Sequence, residues 1–238
     1  MPNDSRQIPT THIGSLPRPP ELLDLLKRRQ DGEQVDEQEW AETVREATET
    51  VVRRQVDAGI DIANGGEQPR VSFNWYVKNR LSGIEGTETT ALWADLQDYP
   101  EYADETFTTD VLDLSEHPVV TGPLEYTGRE EAETELAAFE DALDAIGATF
   151  DDTFVTSASP SVVTATHVDE HYGDYEEYLF AAADAMQTEY GLLAEAGYTL
   201  QIDAPELLTV GQTDAYADAS LEEIKQASRL HVEALNGA

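Results

Sequence analysis

The sequence contains no cysteine. Disulfides are excluded, and so is any thiolate metal ligand from these residues. Basic residues are scarce too: 14 Lys and Arg stand against 49 Asp and Glu, a formal net charge of −35 over 238 residues. Such a field repels phosphates and argues against a nucleic-acid partner. No apolar run is long enough to span a bilayer, and no basic segment with an apolar core opens the chain. The expectation is a cytoplasmic enzyme or fragment with no membrane partner. Signatures of dinucleotide, P-loop and nucleophile-elbow sites are absent as well.

What is present is a 40% apolar content, enough for a core. The acids are scattered over outer helical faces and loops, so the chain does not read as disordered. They fit a solvated acidic surface of the halophilic kind, and most carry no chemistry. An acid with a function must be found by its position.

Position is given by a recurring unit of helix, glycine, short strand and loop. Residues 21–30 read as a helix burying Leu22, Leu23, Leu25 and Leu26. Asp36 with Glu39 resembles a capping box, and Trp40, Val44, Ala47, Val51, Val52 and Val56 follow at helical spacing up to Gly59. Ile60 to Ala63 is a strand whose loop, Gly65-Gly66-Glu67, turns a carboxylate inward. Residues 71–113 form an irregular excursion, a hairpin or a lid. Pro118 to Pro123 reads as a third strand, and Ala132, Leu136, Phe139, Leu143 and Ile146 as a helical stripe ending at Gly147. Thr153 to Ser157 is a fourth strand, followed by the loop Ser159-Pro160-Ser161. Asp174 and Glu177 cap a helix running through Leu179, Met186 and Leu193 to Gly197. Tyr198, Leu200 and Ile202 make a fifth strand with Asp203 at its tip. Ser220 and Glu223 cap a last helix. The expected fold is α/β: one domain over residues 1–238, an incomplete (β/α)8 barrel with about five βα units.

Ligands of parallel α/β folds bind at the carboxyl ends of the strands. Glu67 and Asp203 both fall there and together can hold an ammonium group or move a proton; otherwise they are two more surface acids. Ile13-Gly14-Ser15 ends the first strand and can offer N–H groups and a hydroxyl to a carboxylate, or be an ordinary turn. His12 adjoins it. Arg18 and Arg70 each follow a strand-end loop and either meet an anion bidentately or pair with nearby acids. His167 and His171 would share a face on a helix, but Gly173 and Asp174 place them in a loop, against a zinc pair. His231 reads as a surface residue of the last helix. Trp75 and Tyr76 either stack on a planar ligand or pack in the core.

In order along the chain, Thr11-His12-Ile13-Gly14-Ser15-Leu16-Pro17-Arg18-Pro19, Gln55 to Asp61 with Gly66-Glu67-Gln68-Pro69-Arg70, Val120-Thr121-Gly122-Pro123, Ser159-Pro160 and Leu200 to Glu206 resemble the catalytic barrel of the cobalamin-independent methionine synthase family. The resemblance spans about Thr10 to Asn236. It implies a barrel related to uroporphyrinogen decarboxylase and transfer of a methyl group from a methylated folate or pterin to a thiol held by zinc. Homocysteine is the thiol in methionine synthases. By this resemblance Ile13, Gly14 and Ser15 hold the substrate carboxylate, and Glu67 and Asp203 its ammonium. The family's zinc ligands begin with a His-x-Cys motif beyond the fifth helix, which these residues lack. The chain is thus expected to be the amino-acid-binding part of such a methyltransferase, completed by a C-terminal chain or by self-association. The alternatives are a non-catalytic remnant or binding module without turnover and a zinc-dependent thiol alkyltransferase with another acceptor.

Overall fold

A computed structural model describes residues 8–72, 75–89, 99–102, 116–147, 149–209 and 219–238. Two helices open it, α1 (Pro20–Gln30) and α2 (Glu37–Ala58). The Asp36 carboxylate accepts the backbone N–H groups of Gln38 and Glu39, at 3.0 and 2.9 Å, and starts α2. Gly59, at φ 72°, ends it in the left-handed conformation. α1 packs Leu22, Leu25 and Leu26 against Trp40, Val44 and Ala47 of α2. Leu23, expected on the same face, points to solvent.

Three parallel strands form the sheet that positions the site. They are β1 (Ile62–Ala63), β4 (Asp152–Ala158) and β6 (Thr199–Asp203), in the order β1-β4-β6. Thr11 bridges Ile62 in parallel and brings the first segment to the other side of β1. Phe154 faces Thr199 and Ala158 faces Asp203, so the carboxyl ends of β4 and β6 finish level. α3 (Arg129–Ile146) and α2 cover one side through Val52, Ala63, Phe139 and Ala142.

A second sheet has the order β2-β3-β5, where β2 is Ile84–Thr89, β3 Glu116–Val120 and β5 Val168–Asp169. The expected third strand is present as β3, ending at Val120 and lying in this second sheet. β3 pairs antiparallel with β2 and parallel with β5, and β1 takes β4 as its neighbour. Gly83 supplies the physical reason. At φ 78° its carbonyl accepts the N–H groups of Thr121 and Gly122, at 2.8 and 3.1 Å. A Cβ there would lie 2.4 Å from the Pro123 carbonyl oxygen. The close approach zips β3 onto the excursion. The parallel ladder therefore joins four segments among the described residues, not five.

Of the excursion at 71–113, a 3-10 helix (Trp75–Asn79) and β2 are described, together with flanking residues. Phe73 and Trp93 lie outside the described residues. The 3-10 helix is core: Tyr76 and Val77 pack with Val120, Leu124 and Ala158, and with α4 (Pro160–Thr166) and α5 (Tyr175–Glu195). The segment read as a loop after Ser159 is thus helix α4, capped by the Ser159 hydroxyl accepting from the N–H of Val162 at 3.0 Å. α6 (Glu206–Thr209) and α7 (Leu221–Gly237) complete the described chain. Ser220 and Glu223 form a full capping box on α7. No described helix is long and apolar enough to cross a membrane.

Candidate functional site

The loop after β1 is built by its neighbours. The Gln55 amide of α2 binds the Asn64 backbone twice, donating to its carbonyl at 2.8 Å and accepting its N–H at 3.2 Å. The Asn64 side chain accepts the Gly66 N–H at 2.8 Å. Gly66, at φ 70°, then turns the chain, and Glu67 follows at φ 52°, a left-handed conformation that costs a non-glycine residue energy. Arg18 holds that turn, donating to the carbonyls of Glu67 at 2.7 Å and Gln68 at 3.1 Å. The Leu16 N–H donates to the Gly66 carbonyl at 3.0 Å, and the Gln68 amide donates to the Leu16 carbonyl at 3.1 Å. The loops after the first segment and after β1 are thereby one unit.

Their product is the placement of the Glu67 carboxylate, which is buried. One oxygen accepts the Ser15 hydroxyl, and the other accepts the Thr156 hydroxyl of β4 at 2.6 Å. Gly14 lies against it, where a Cβ would come within 2.6 Å of Glu67 Oε1. Asp203 stands half-buried at the tip of β6. The Gln201 amide donates to Asp203 at 2.8 Å and to the Ile13 carbonyl at 2.7 Å. Burial raises the Asp203 pKa, and the charge of Glu67 pushes it the same way, against the opposing effects of the Gln201 bond and the Arg70 charge. Ile13, Gly14, Ser15, Glu67 and Asp203 are therefore brought together. The Ser15 hydroxyl, read from the resemblance as a partner for a substrate carboxylate, is committed to Glu67.

Behind Glu67 lies a second charge cluster. Arg70 donates to the Thr156 hydroxyl at 3.0 Å, to the Thr156 carbonyl at 2.8 Å and to Glu135 at 2.9 Å. Arg80 bridges Glu135 at 2.6 Å and Glu189 at 3.1 Å. Glu189, wholly buried on α5, also accepts from Tyr76 at 2.6 Å, Ser157 at 2.7 Å and Tyr126 at 2.8 Å. The Tyr76 ring lies under both guanidiniums, at 4.2 and 4.7 Å. Burial works to raise the pKa of Glu189 and Glu135, but the two arginines outweigh it and leave both below the usual range.

Of the two readings open for Arg70, the structure shows the ion pair. Arg18 serves the backbone of the site loop. Trp75 and Tyr76 are core residues, and the ring of Tyr76 is already stacked. His12 contributes its carbonyl, which accepts from Asn64 at 3.5 Å and Thr11 at 3.2 Å. His167 and His171 share no helix face. His167 is the buried C-cap of α4, while His171 sits in the loop after β5, edge-on to Tyr172. His231, expected at the surface, is buried, and its Nε2 meets the Tyr175 hydroxyl at 2.8 Å.

Thr156, Gln201, Arg80, Glu135 and Glu189 were not found from sequence. Glu189 had a local signal: it stands on the buried stripe of α5, between Met186 and Leu193. Arg80 had a weaker one as a rare cation in an acidic chain. The Thr156 hydroxyl had none, since threonine is common in strands.

A family model described as cobalamin-independent synthase, catalytic domain, matches residues 8–105. Among curated proteins, the methionine synthase of Thermococcus kodakarensis is 27% identical over 202 residues, covering 84% of this chain and 53% of that protein. The methionine synthase of Sulfolobus acidocaldarius is 24% identical over 225 residues, covering 94% and 59%. The chain thus spans a little over half the length of these relatives. Among solved structures, the B12-independent methionine synthase from Shewanella sp. W3-18-1, in complex with selenomethionine, superposes with a TM-score of 0.65 at 20% identity, over 95% of this chain and 57% of that one. The α/β fold is similar to that protein's.

Proposed function

We propose that this chain, a member of the cobalamin-independent methionine synthase family, binds homocysteine or methionine at its strand tips and forms the amino-acid-binding part of a methyl-transfer centre. One observation carries the reading. Glu67 and Asp203 flank one loop: Ser15 donates to Glu67, and the Gln201 amide joins Asp203 to the Ile13 carbonyl. A ligand ammonium between the two carboxylates neutralises both and gains two charged hydrogen bonds. The first-strand loop adjoins the pair with the Ile13-Gly14-Ser15 backbone, the side for the ligand's carboxylate. The amino-acid complex of the Shewanella relative supports the same ligand class.

The methyl donor is proposed to be a methylated folate or pterin, and the architecture part of a (β/α)8 barrel over residues 1–238, its wall formed by the first segment, β1, β4 and β6. The family resemblance also implies zinc. Among the described residues no group of three or more His, Asp or Glu is arranged to hold a metal ion, and cysteine is absent. The residues present do not fit the metal, so thiol activation is not assigned to them. The share of the relatives that the chain does not match is the proposed source of the metal and donor halves, in the same or a separate chain. The second reading is a binding module without turnover.

Calorimetric titration with methionine tests the binding claim. Methionine binding is expected in the wild type and at least a tenfold loss in Glu67→Gln and in Asp203→Asn, from one charged hydrogen bond each. Equal affinity in all three overturns it. A methyl-transfer assay with and without a segment homologous to the relatives' C-terminal half separates enzyme from binding module.

A further inference from the structure

The Glu67 carboxylate is set by a hydrogen-bond order that runs in one direction. Arg70 Nη1 lies 3.0 Å from the Thr156 hydroxyl oxygen, and a guanidinium only donates. The hydroxyl has one hydrogen, and its other partner, 2.6 Å away, is Glu67 Oε1. Thr156 must therefore accept from Arg70 and donate to Glu67. Arg70 cannot turn away, because its Nη2 grips the Thr156 carbonyl at 2.8 Å and its Nε meets Glu135 at 2.9 Å. On the other side Ser15 donates to Oε2, and the carboxylate stands against Gly14 with no room for a Cβ between them.

From this we infer that Thr156, oriented by Arg70, is a positioning residue for recognition of an amino-acid ammonium. It fixes the rotation of the Glu67 carboxylate and reserves the remaining lone pairs for a cation facing Asp203. This rests on the amino-acid-binding reading. It goes further by assigning ammonium selectivity to a buried hydroxyl that need not touch the ligand. The loop bonds fix the backbone at Glu67, and Thr156 of the rigid strand β4 fixes its carboxylate.

The test compares methionine with its desamino analogue, 4-(methylthio)butanoate, by calorimetry on the wild type, Thr156→Val and Thr156→Ser, with folding checked by circular dichroism and thermal unfolding. Val keeps the branched shape and removes the hydroxyl, and Ser keeps the hydroxyl. The preference for methionine over the desamino analogue is expected to fall about tenfold in Thr156→Val, the scale of one hydrogen bond to a charged group. Thr156→Ser is expected to restore it. A general structural defect would weaken both ligands alike and leave the ratio unchanged. If the wild type prefers methionine and Thr156→Val keeps that preference, Thr156 is not a positioning residue and the site reading survives. If the wild type shows no preference, the site reading fails and this inference fails with it.

Discussion

Replacing Glu189 by Gln perturbs the support of the site without touching the site itself. Glu189 is fully buried and accepts from Tyr76, Ser157, Tyr126 and Arg80. Gln keeps one acceptor oxygen for Arg80, but its amide nitrogen makes the hydroxyls on the other side accept where they now donate. It also leaves Arg80 with one ion-pair partner, Glu135, which it shares with Arg70. An uncompensated buried charge costs about 3–5 kcal/mol. For a chain of this length that lowers Tm by about 6–20 °C. The control is Glu49→Gln, which breaks an ion pair with Arg53 whose side chain is 56% exposed; there the cost is below about 1 kcal/mol. Urea unfolding at fixed high salt measures both, with far-ultraviolet circular dichroism as the probe. If Glu189→Gln costs no more than Glu49→Gln, the buried cluster is not what holds α5 to the tip of β4.

Two further expectations follow from single groups. The buried His167 imidazole is pushed down to about 4, chiefly by desolvation, with its Nδ1 at 3.1 Å from the Val163 carbonyl opposing the shift. The unfolded chain takes up that proton first, so the stabilisation is full above the ordinary value of 6.5 and is lost as pH falls toward 4. The loss is about 2 kcal/mol between about pH 7.5 and pH 5. Urea midpoints at those two pH values are expected to differ less in His167→Gln than in the wild type; an equal difference refutes the assignment. Gly14→Ala puts a methyl 2.6 Å from Glu67 Oε1. It is expected to lower methionine affinity at least tenfold while costing about 1–3 kcal/mol of stability, and calorimetry showing unchanged affinity contradicts the packing argument.

The sequence placed Glu67 and Asp203 at strand tips because local signals marked both. Gly59 closed the helix before one, the alternation Tyr198, Leu200, Ile202 led to the other, and paired glycines marked the turn. Helix caps at Asp36, Asp174 and Ser220 were legible for the same reason. Strand partners were not. Pro118 to Val120 reads as well for one sheet as for another, since a short apolar run says nothing of its neighbour. What moved it was the contact of Gly83 with Gly122 and Pro123, a tertiary event. The ion cluster was hidden likewise: Arg70 meets Glu135 and Arg80 meets Glu189 across long stretches of chain, and no spacing rule connects them. His231 was misplaced because its partner, the Tyr175 hydroxyl, comes from another helix. The direction of the Thr156 hydroxyl depends on which of its neighbours can only donate, and that is visible only with side chains in place.

The central claim is that Glu67 and Asp203 clasp one ammonium group. A crystal structure of the protein with methionine bound tests it most directly. The account predicts the methionine nitrogen within hydrogen-bond distance, about 2.7–3.2 Å, of a carboxylate oxygen of each residue, with the methionine carboxylate toward the Ile13-Gly14-Ser15 backbone. Methionine bound elsewhere, or bound here with its nitrogen away from both carboxylates, would contradict it.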